Sequence, residues 1–122
     1  TILIGHSLGG IFLLRVLESL EKPVKAAIFV ASSVGVKPLL NYMGDYNFSD
    51  GFDFNWGKIR QNAGQFRVYH SDNDPYVSLA NGQELAKELG VELTFIKNAG
   101  HFNTKSGYTK FERLLSDTKE IL

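Results

Sequence analysis

The 122-residue chain has no cysteine, only three prolines, a single tryptophan and a single methionine, and no surplus of charge, since 13 Lys and Arg balance 13 Asp and Glu. Each of these excludes something. Without cysteine there is neither a disulfide framework nor a thiolate metal site, and a reducing, cytoplasmic compartment is the expectation. With zero net charge there is no basic field to hold nucleic acid. The longest apolar run, around residues 24–31, falls far short of the roughly 20 residues that a bilayer-spanning helix needs. The opening residues also lack a charged stretch followed by an apolar signal core. Neither a nucleic-acid partner nor a membrane is therefore expected. What remains, at 43% hydrophobic residues, is the composition of one soluble globular domain spanning 1–122.

The chain opens on Thr1-Ile2-Leu3-Ile4, a buried-strand run with no initiator methionine and no leading turn or cap. This predicts a mid-chain start, with a substantial N-terminal part of the parent domain preceding it. Residues 5–10 read as a tight turn and 11–20 as a helix that Pro23 stops. Residues 25–31 are a continuous apolar run of strand length, suited to a parallel strand covered on both faces. From 32 to 55 the periodicity disappears into a long aromatic loop, a length that points to function. Beyond it lie a short helix at 56–63, a strand at 66–70, a helix at 78–89 stopped by Gly90, a strand at 91–96 and a closing helix at 108–122. That last helix is expected to bury Phe111, Leu114, Leu115 and Thr118. The order predicts a three-layer α/β/α fold with a mostly parallel sheet.

Gly5-His6-Ser7-Leu8-Gly9 fits the G-x-S-x-G pattern of a nucleophile elbow, flanked by a strand and a helix as that motif requires. When a strand turns directly into a helix, the central residue is strained, and glycines are expected on either side because a Cβ there would collide with a neighbour. Ser7 would then stand at the carboxyl edge of the sheet, with the Leu8 N–H as an oxyanion donor. A phosphate loop is excluded, because Ile11 stands where that motif needs lysine.

A serine needs a base, and the base an acceptor that fixes its tautomer. His101, in Asn98-Ala99-Gly100-His101-Phe102, follows the strand at 91–96; Asp74, in Ser71-Asp72-Asn73-Asp74-Pro75, follows the strand at 66–70. The order Ser7, Asp74, His101 is that of the α/β-hydrolases. Asp72 is the rival for the acid. His6 and His70 read as structural, His6 facing the sheet interior, and their spacing with His101 and Asp72 matches no metal motif. No metal or cofactor is expected.

Gly-His-Ser-Leu-Gly-Gly at 5–10, Ser-Asp-Asn-Asp-Pro-Tyr-Val at 71–77 and Ala-Gly-His-Phe at 99–102 resemble the small single-domain serine hydrolases of the YdeN / retinoblastoma-binding protein 9 type, within the α/β-hydrolase superfamily. The likeness runs through most of the chain, including Trp56-Gly57-Lys58-Ile59 before the acid-bearing strand, and is looser in the aromatic loop. It implies Ser7 as nucleophile, Asp74 as acid and His101 as base, acting on carboxylic esters or amides in a small cytosolic enzyme. In such proteins several strands and a helix precede the elbow, and one oxyanion donor comes from that earlier part. The chain therefore reads as the C-terminal part of the fold, with an exposed apolar edge on its first strand.

The expected activity is thus hydrolysis of a small-molecule ester or amide through an acyl-enzyme. The serine at the elbow argues against dehalogenase-type chemistry, which places aspartate there. Tyr42, Phe48, Phe54, Trp56, Tyr76 and Phe102 are the expected pocket residues, because ligand sites are mostly apolar. An alternative from another class is a protein-binding module that uses the aromatic loop at 32–55 as a contact surface for a protein partner, with little or no turnover.

Overall fold

The computed structural model describes residues 1–36 and 53–122. Four strands, β1 (Ile2–His6), β2 (Ala26–Val30), β3 (Phe66–His70) and β4 (Leu93–Phe95), form a parallel sheet in the order β1-β2-β3-β4. Helices α1 (Leu8–Ser19), α2 (Trp56–Gln61) and α3 (Leu79–Leu89) lie on the crossovers, and α4 (Glu112–Ile121) closes the chain. Parallel strands laid side by side in chain order, with crossovers of one hand, place all three connecting helices on the same face. α4 covers the other.

The two faces can be read from strand parity. Ala27 and Phe29 of β2 and Val68 of β3 point into a core filled by Ile11, Leu14 and Leu17 of α1, Ile59 of α2 and Leu85 and Leu89 of α3. Ala26, Ile28 and Val30 point the opposite way, toward Tyr69, Phe102 and Ile121. Every residue of β2 is buried, as its unbroken apolar run predicts. Among the described residues β1 pairs only with β2, and Ile4 is half exposed.

Helix ends follow local chemistry. The last carbonyls of α1, at Leu17 and Leu20, accept from the buried Asn62 amide at 2.6 and 3.1 Å. Gly90, at φ 73°, ends α3 as expected, with its own N–H on Lys87 O and that of Val91 on Ala86 O.

Several boundaries differ from the sequence reading. β1 runs on through Gly5 and His6, and α1 starts at Leu8, so no loop separates strand from helix. β4 is only three residues long. The closing helix begins at Glu112, because Phe102, Tyr108 and Phe111 pack ring to ring at 5.1–5.2 Å and hold Phe111 in an extended backbone. Its inward residues are Leu114, Asp117 and Ile121, while Leu115 is exposed. Phe111 and Leu114 thus face inward as expected, but counting a charged residue as solvent-facing shifted the rest of the expected face onto Leu115 in place of Asp117. Asp117 is buried because the Tyr69 hydroxyl donates to it at 2.5 Å and Arg113 Nε at 2.9 Å.

This pairing links stability to pH. Burial works to raise the Asp117 carboxyl, but the bonds from Tyr69 and Arg113 outweigh it and hold the group below the usual carboxylate range. Burial, with the Asp117 bond and charge, pushes the Tyr69 phenol above its usual range. A depressed folded-state carboxyl contributes stability that is full above its unfolded value and is lost as pH falls through the folded one. Tyr69→Phe should therefore cost about 1–2 kcal/mol near neutrality, and less as Asp117 protonates below about pH 4, as read by urea unfolding across that range. A second expectation concerns Gly82. A Cβ there would lie 2.7 Å from the Cβ and Nδ1 of the fully buried His70. Gly82→Ala should destabilise by about 1–3 kcal/mol in thermal melts, although alanine is the better helix former.

Candidate active site

The candidate residues Ser7, Asp74 and His101 stand beyond the carboxyl ends of β1, β3 and β4. Ser7 sits between the last residue of β1 and the first of α1, at φ 57° and ψ −121°. Its N–H donates to Val30 O at 2.9 Å and its carbonyl accepts from Gly10 N at 3.0 Å, which holds this sparsely populated conformation in place. The glycines around it are not equivalent. A Cβ on Gly5 would lie 2.6 Å from Gly9 O, and one on Gly10 would lie 1.8 Å from Ser32 Oγ, whereas one on Gly9 meets open space. Steric need therefore falls on Gly5 and Gly10, and the expectation that Gly9 is equally crowded is corrected. Leu8 is the first residue of α1, so its N–H has no acceptor within the helix and lies beside Ser7 at the positive end of the helix dipole.

The structure brings Ser7, His101 and Asp74 together. His101 Nε2 is 2.9 Å from Ser7 Oγ, and His101 Nδ1 is 2.8 Å from Asp74 Oδ2. Because a carboxylate can only accept, Nδ1 carries the proton and Nε2 presents its lone pair to the serine hydroxyl. The Asp74 side chain is fully buried, and its other oxygen accepts from the N–H groups of Tyr76 and Val77 at 2.8 and 3.0 Å. That fixes which oxygen faces the histidine. Asp72, the rival acid, accepts instead from Asn98 N at 2.8 Å.

Asp72 belongs to a larger arrangement that composition and motif did not reveal. All four residues at 71–74 hold the loop that carries His101. Ser71 Oγ donates to Gly100 O at 2.5 Å, Asp72 accepts from Asn98 N, Asn73 Oδ1 accepts from Gly100 N at 2.8 Å, and Asp74 meets the imidazole. The loop needs such ties, since Asn98, Gly100 and Phe102 all have positive φ. Four consecutive short side chains, each with an oxygen and placed directly after a strand, were the available signal.

His70 is structural, as expected. Burial lowers its basicity and keeps it neutral, and its Nε2–H donates to Val77 O at 2.8 Å, closing the turn that presents Asp74. His6 does not face the sheet interior. It is exposed, and its Nε2 lies 2.7 Å from the His101 carbonyl. The reason is that β1 continues to His6, which places the side chain at the mouth of the sheet edge rather than within a turn. Among the described residues no group of three or more His, Asp or Glu is arranged to hold a metal ion.

The expected pocket residues divide. Tyr42 and Phe48 lie outside the described residues. Phe54 packs into the first core with Trp56 against it at 5.3 Å, and Phe102 is buried in the second, so packing occupies these side chains. Tyr76 is partly exposed and meets the His101 ring edge-on at 5.0 Å. Among the described residues no helix is long and apolar enough to cross a membrane.

Comparison with known proteins places the chain in a family. Residues 1–117 match the family described as Serine hydrolase. The chain is 30% identical to Serine hydrolase RBBP9 of Rattus norvegicus, over all of this chain and 61% of that protein. It is 31% identical to YdeN of Bacillus subtilis (strain 168), over 89% of this chain and 57% of that one. The crystal structure of the ydeN gene product from B. subtilis superposes with a TM-score of 0.84 at 25% identity, covering 99% of this chain and 64% of the other. The chain thus spans about three fifths of the length of these relatives, and its fold is part of an α/β-hydrolase fold. With a family match over nearly its whole length and a serine, a histidine and an aspartate meeting at one sheet edge, this chain belongs to the Serine hydrolase family.

Proposed function

We propose that the protein hydrolyses small carboxylic esters or amides by acyl transfer through Ser7, with His101 as general base and then acid, and Asp74 as the group that orients it. The observation that carries this reading is the unbroken hydrogen-bonded chain from Asp74 Oδ2 through the His101 imidazole to Ser7 Oγ, with contacts of 2.8 and 2.9 Å. In the first half-reaction Ser7 Oγ bonds to the substrate carbonyl carbon while His101 Nε2 takes the hydroxyl proton. The carbonyl oxygen becomes an oxyanion, to which the Leu8 N–H donates. As the tetrahedral intermediate collapses, the bond to the alcohol or amine breaks, and His101 returns its proton to that leaving group. In the second half-reaction water attacks the acyl-enzyme with His101 again as base, and Ser7 regains its proton as the carboxylic acid departs. Every proton is accounted for without a metal or an organic cofactor.

Asp74 remains a carboxylate throughout and stabilises the imidazolium formed at each step. Its fixed orientation, set by the N–H groups of Tyr76 and Val77, means that the histidine does not have to search for its tautomer. The name of the rat relative, a serine hydrolase, supports the same reaction class. The cytoplasm is the proposed compartment.

Two experiments on the full-length protein test this reading. A fluorophosphonate probe should add its mass to the peptide containing Ser7, and Ser7→Ala should abolish both labelling and hydrolysis of a p-nitrophenyl ester, a loss on the order of 10⁶-fold. An unlabelled Ser7 would sink the proposal. The two aspartates should separate cleanly. Asp74→Asn should lower kcat by about 10⁴-fold, as loss of the orienting carboxylate does elsewhere, while Asp72→Asn, which changes only a backbone tie, should cost no more than about tenfold.

A further inference from the structure

Ser7 and His6 are adjacent in the chain, and both touch His101, one at each end. Ser7 Oγ meets the ring at Nε2, while His6 Nε2 lies 2.7 Å from the carbonyl of the same residue. A carbonyl can only accept, so His6 carries its proton on Nε2 and donates it. The two imidazoles also pack against each other, with ring centroids 4.8 Å apart and planes tilted by 45°. We propose that His6 is a positioning residue for the hydrolytic reaction, fixing the base relative to the nucleophile by holding its backbone. This inference rests on the reading of Ser7 and His101 given above.

The need for such a residue follows from how the base is otherwise held. The ties from 71–74 fix the loop at Asn98 and Gly100 from the β3 side, and Ser106 Oγ accepts from His101 N at a long 3.3 Å. The first three relate the base to the acid loop, and the last is local to the base's own segment. None of these relates it to the elbow, which stands at the end of β1 with β2 and β3 between it and β4. The Ser7–His101 contact is itself the reacting contact, and during turnover it is broken and remade, so it cannot also serve as the fixed reference. The bond from His6 persists through the cycle, because neither the His101 carbonyl nor the His6 N–H takes part in proton transfer. It closes a short ring that runs from Ser7 through its own backbone to His6, across to the His101 backbone and back through the imidazole. With the loop at 98–102 holding three residues at positive φ, a small drift of the His101 backbone would carry Nε2 out of reach of the hydroxyl. Displacements of about 1 Å are enough to cost catalysis heavily.

Within residues 1–122 the His6 side chain is exposed. In the full-length protein, His6→Phe keeps a flat ring against His101 but removes the donor, and His6→Gln restores a donor of similar reach. The readouts are kcat and KM for a p-nitrophenyl ester, with the competent fraction counted by fluorophosphonate titration. His6→Phe is expected to lower kcat about tenfold per competent site with KM changed less than about twofold, and His6→Gln to recover most of that loss. Parent kcat in His6→Phe overturns the inference, as does an equal loss in both variants, or a loss that disappears once the competent fraction is counted. A parent protein that takes up no probe at Ser7 overturns the hydrolase reading itself, and this inference with it.

Discussion

The arrangement depends on one unusual peptide. At Ser7 the chain leaves a β-strand and enters an α-helix with no residue between them, and the serine alone absorbs the change of direction in a left-handed backbone conformation. Such a conformation costs on the order of 1–3 kcal/mol and persists only where its surroundings leave no alternative. Here the Val30 carbonyl holds the serine from the neighbouring strand, Gly10 holds it from the helix, and Gly5 and Gly10 leave the space that the close approach demands. The hydroxyl therefore inherits its position from the register of β1 on β2, which the apolar interior of both faces fixes.

Asp74 and His101 obtain their positions differently. Neither lies on a helix or strand; both sit in short loops at the ends of β3 and β4, and each loop is held mainly by the other. Precision at the site arises from a rigid sheet that brings the loops near one another, and from a set of polar side chains that bind them once they are near. The buried carboxylate is tolerated because both oxygens are used, one by two backbone amides and one by the imidazole. Asp117 follows the same rule on the opposite face, where Tyr69 and Arg113 satisfy it.

Much of this could be read from the residues. The apolar run of β2, the glycine at 90 and the spacing around Ser7 each express a single strong local constraint, and the corresponding elements are where that constraint puts them. The order of Ser7, Asp74 and His101 at the ends of β1, β3 and β4 was legible because a parallel sheet brings all such ends to one edge. What could not be read was settled by contacts distant in sequence. Asp117 reads as a surface charge until Tyr69, 48 residues away, is seen to bind it. Phe111 looks helical until its packing with Phe102 and Tyr108 is known. The choice between Asp74 and Asp72 turned on which of two neighbouring carboxylates faces an imidazole 27 residues on, and periodicity carries no information about that. His6 was misplaced for a simpler reason: the strand was taken to end two residues too early.

Asn81 is buried in α3, and its side-chain oxygen accepts from the N–H groups of Val34 and Val36 while its amide donates to Val36 O and to Ser78. Arg15 of α1 donates to Asp53 O and lies over the Phe54 ring at 4.2 Å. Residues 34–36 and 53–54 are thus tied to α3 and α1, helices that also support the sheet. In mechanical terms these ties are braces: both come from the connection between β2 and β3, yet they grip α1, which starts beside Ser7, and α3, which packs on the strand before Asp74, so helices of two other crossovers are stiffened by a third.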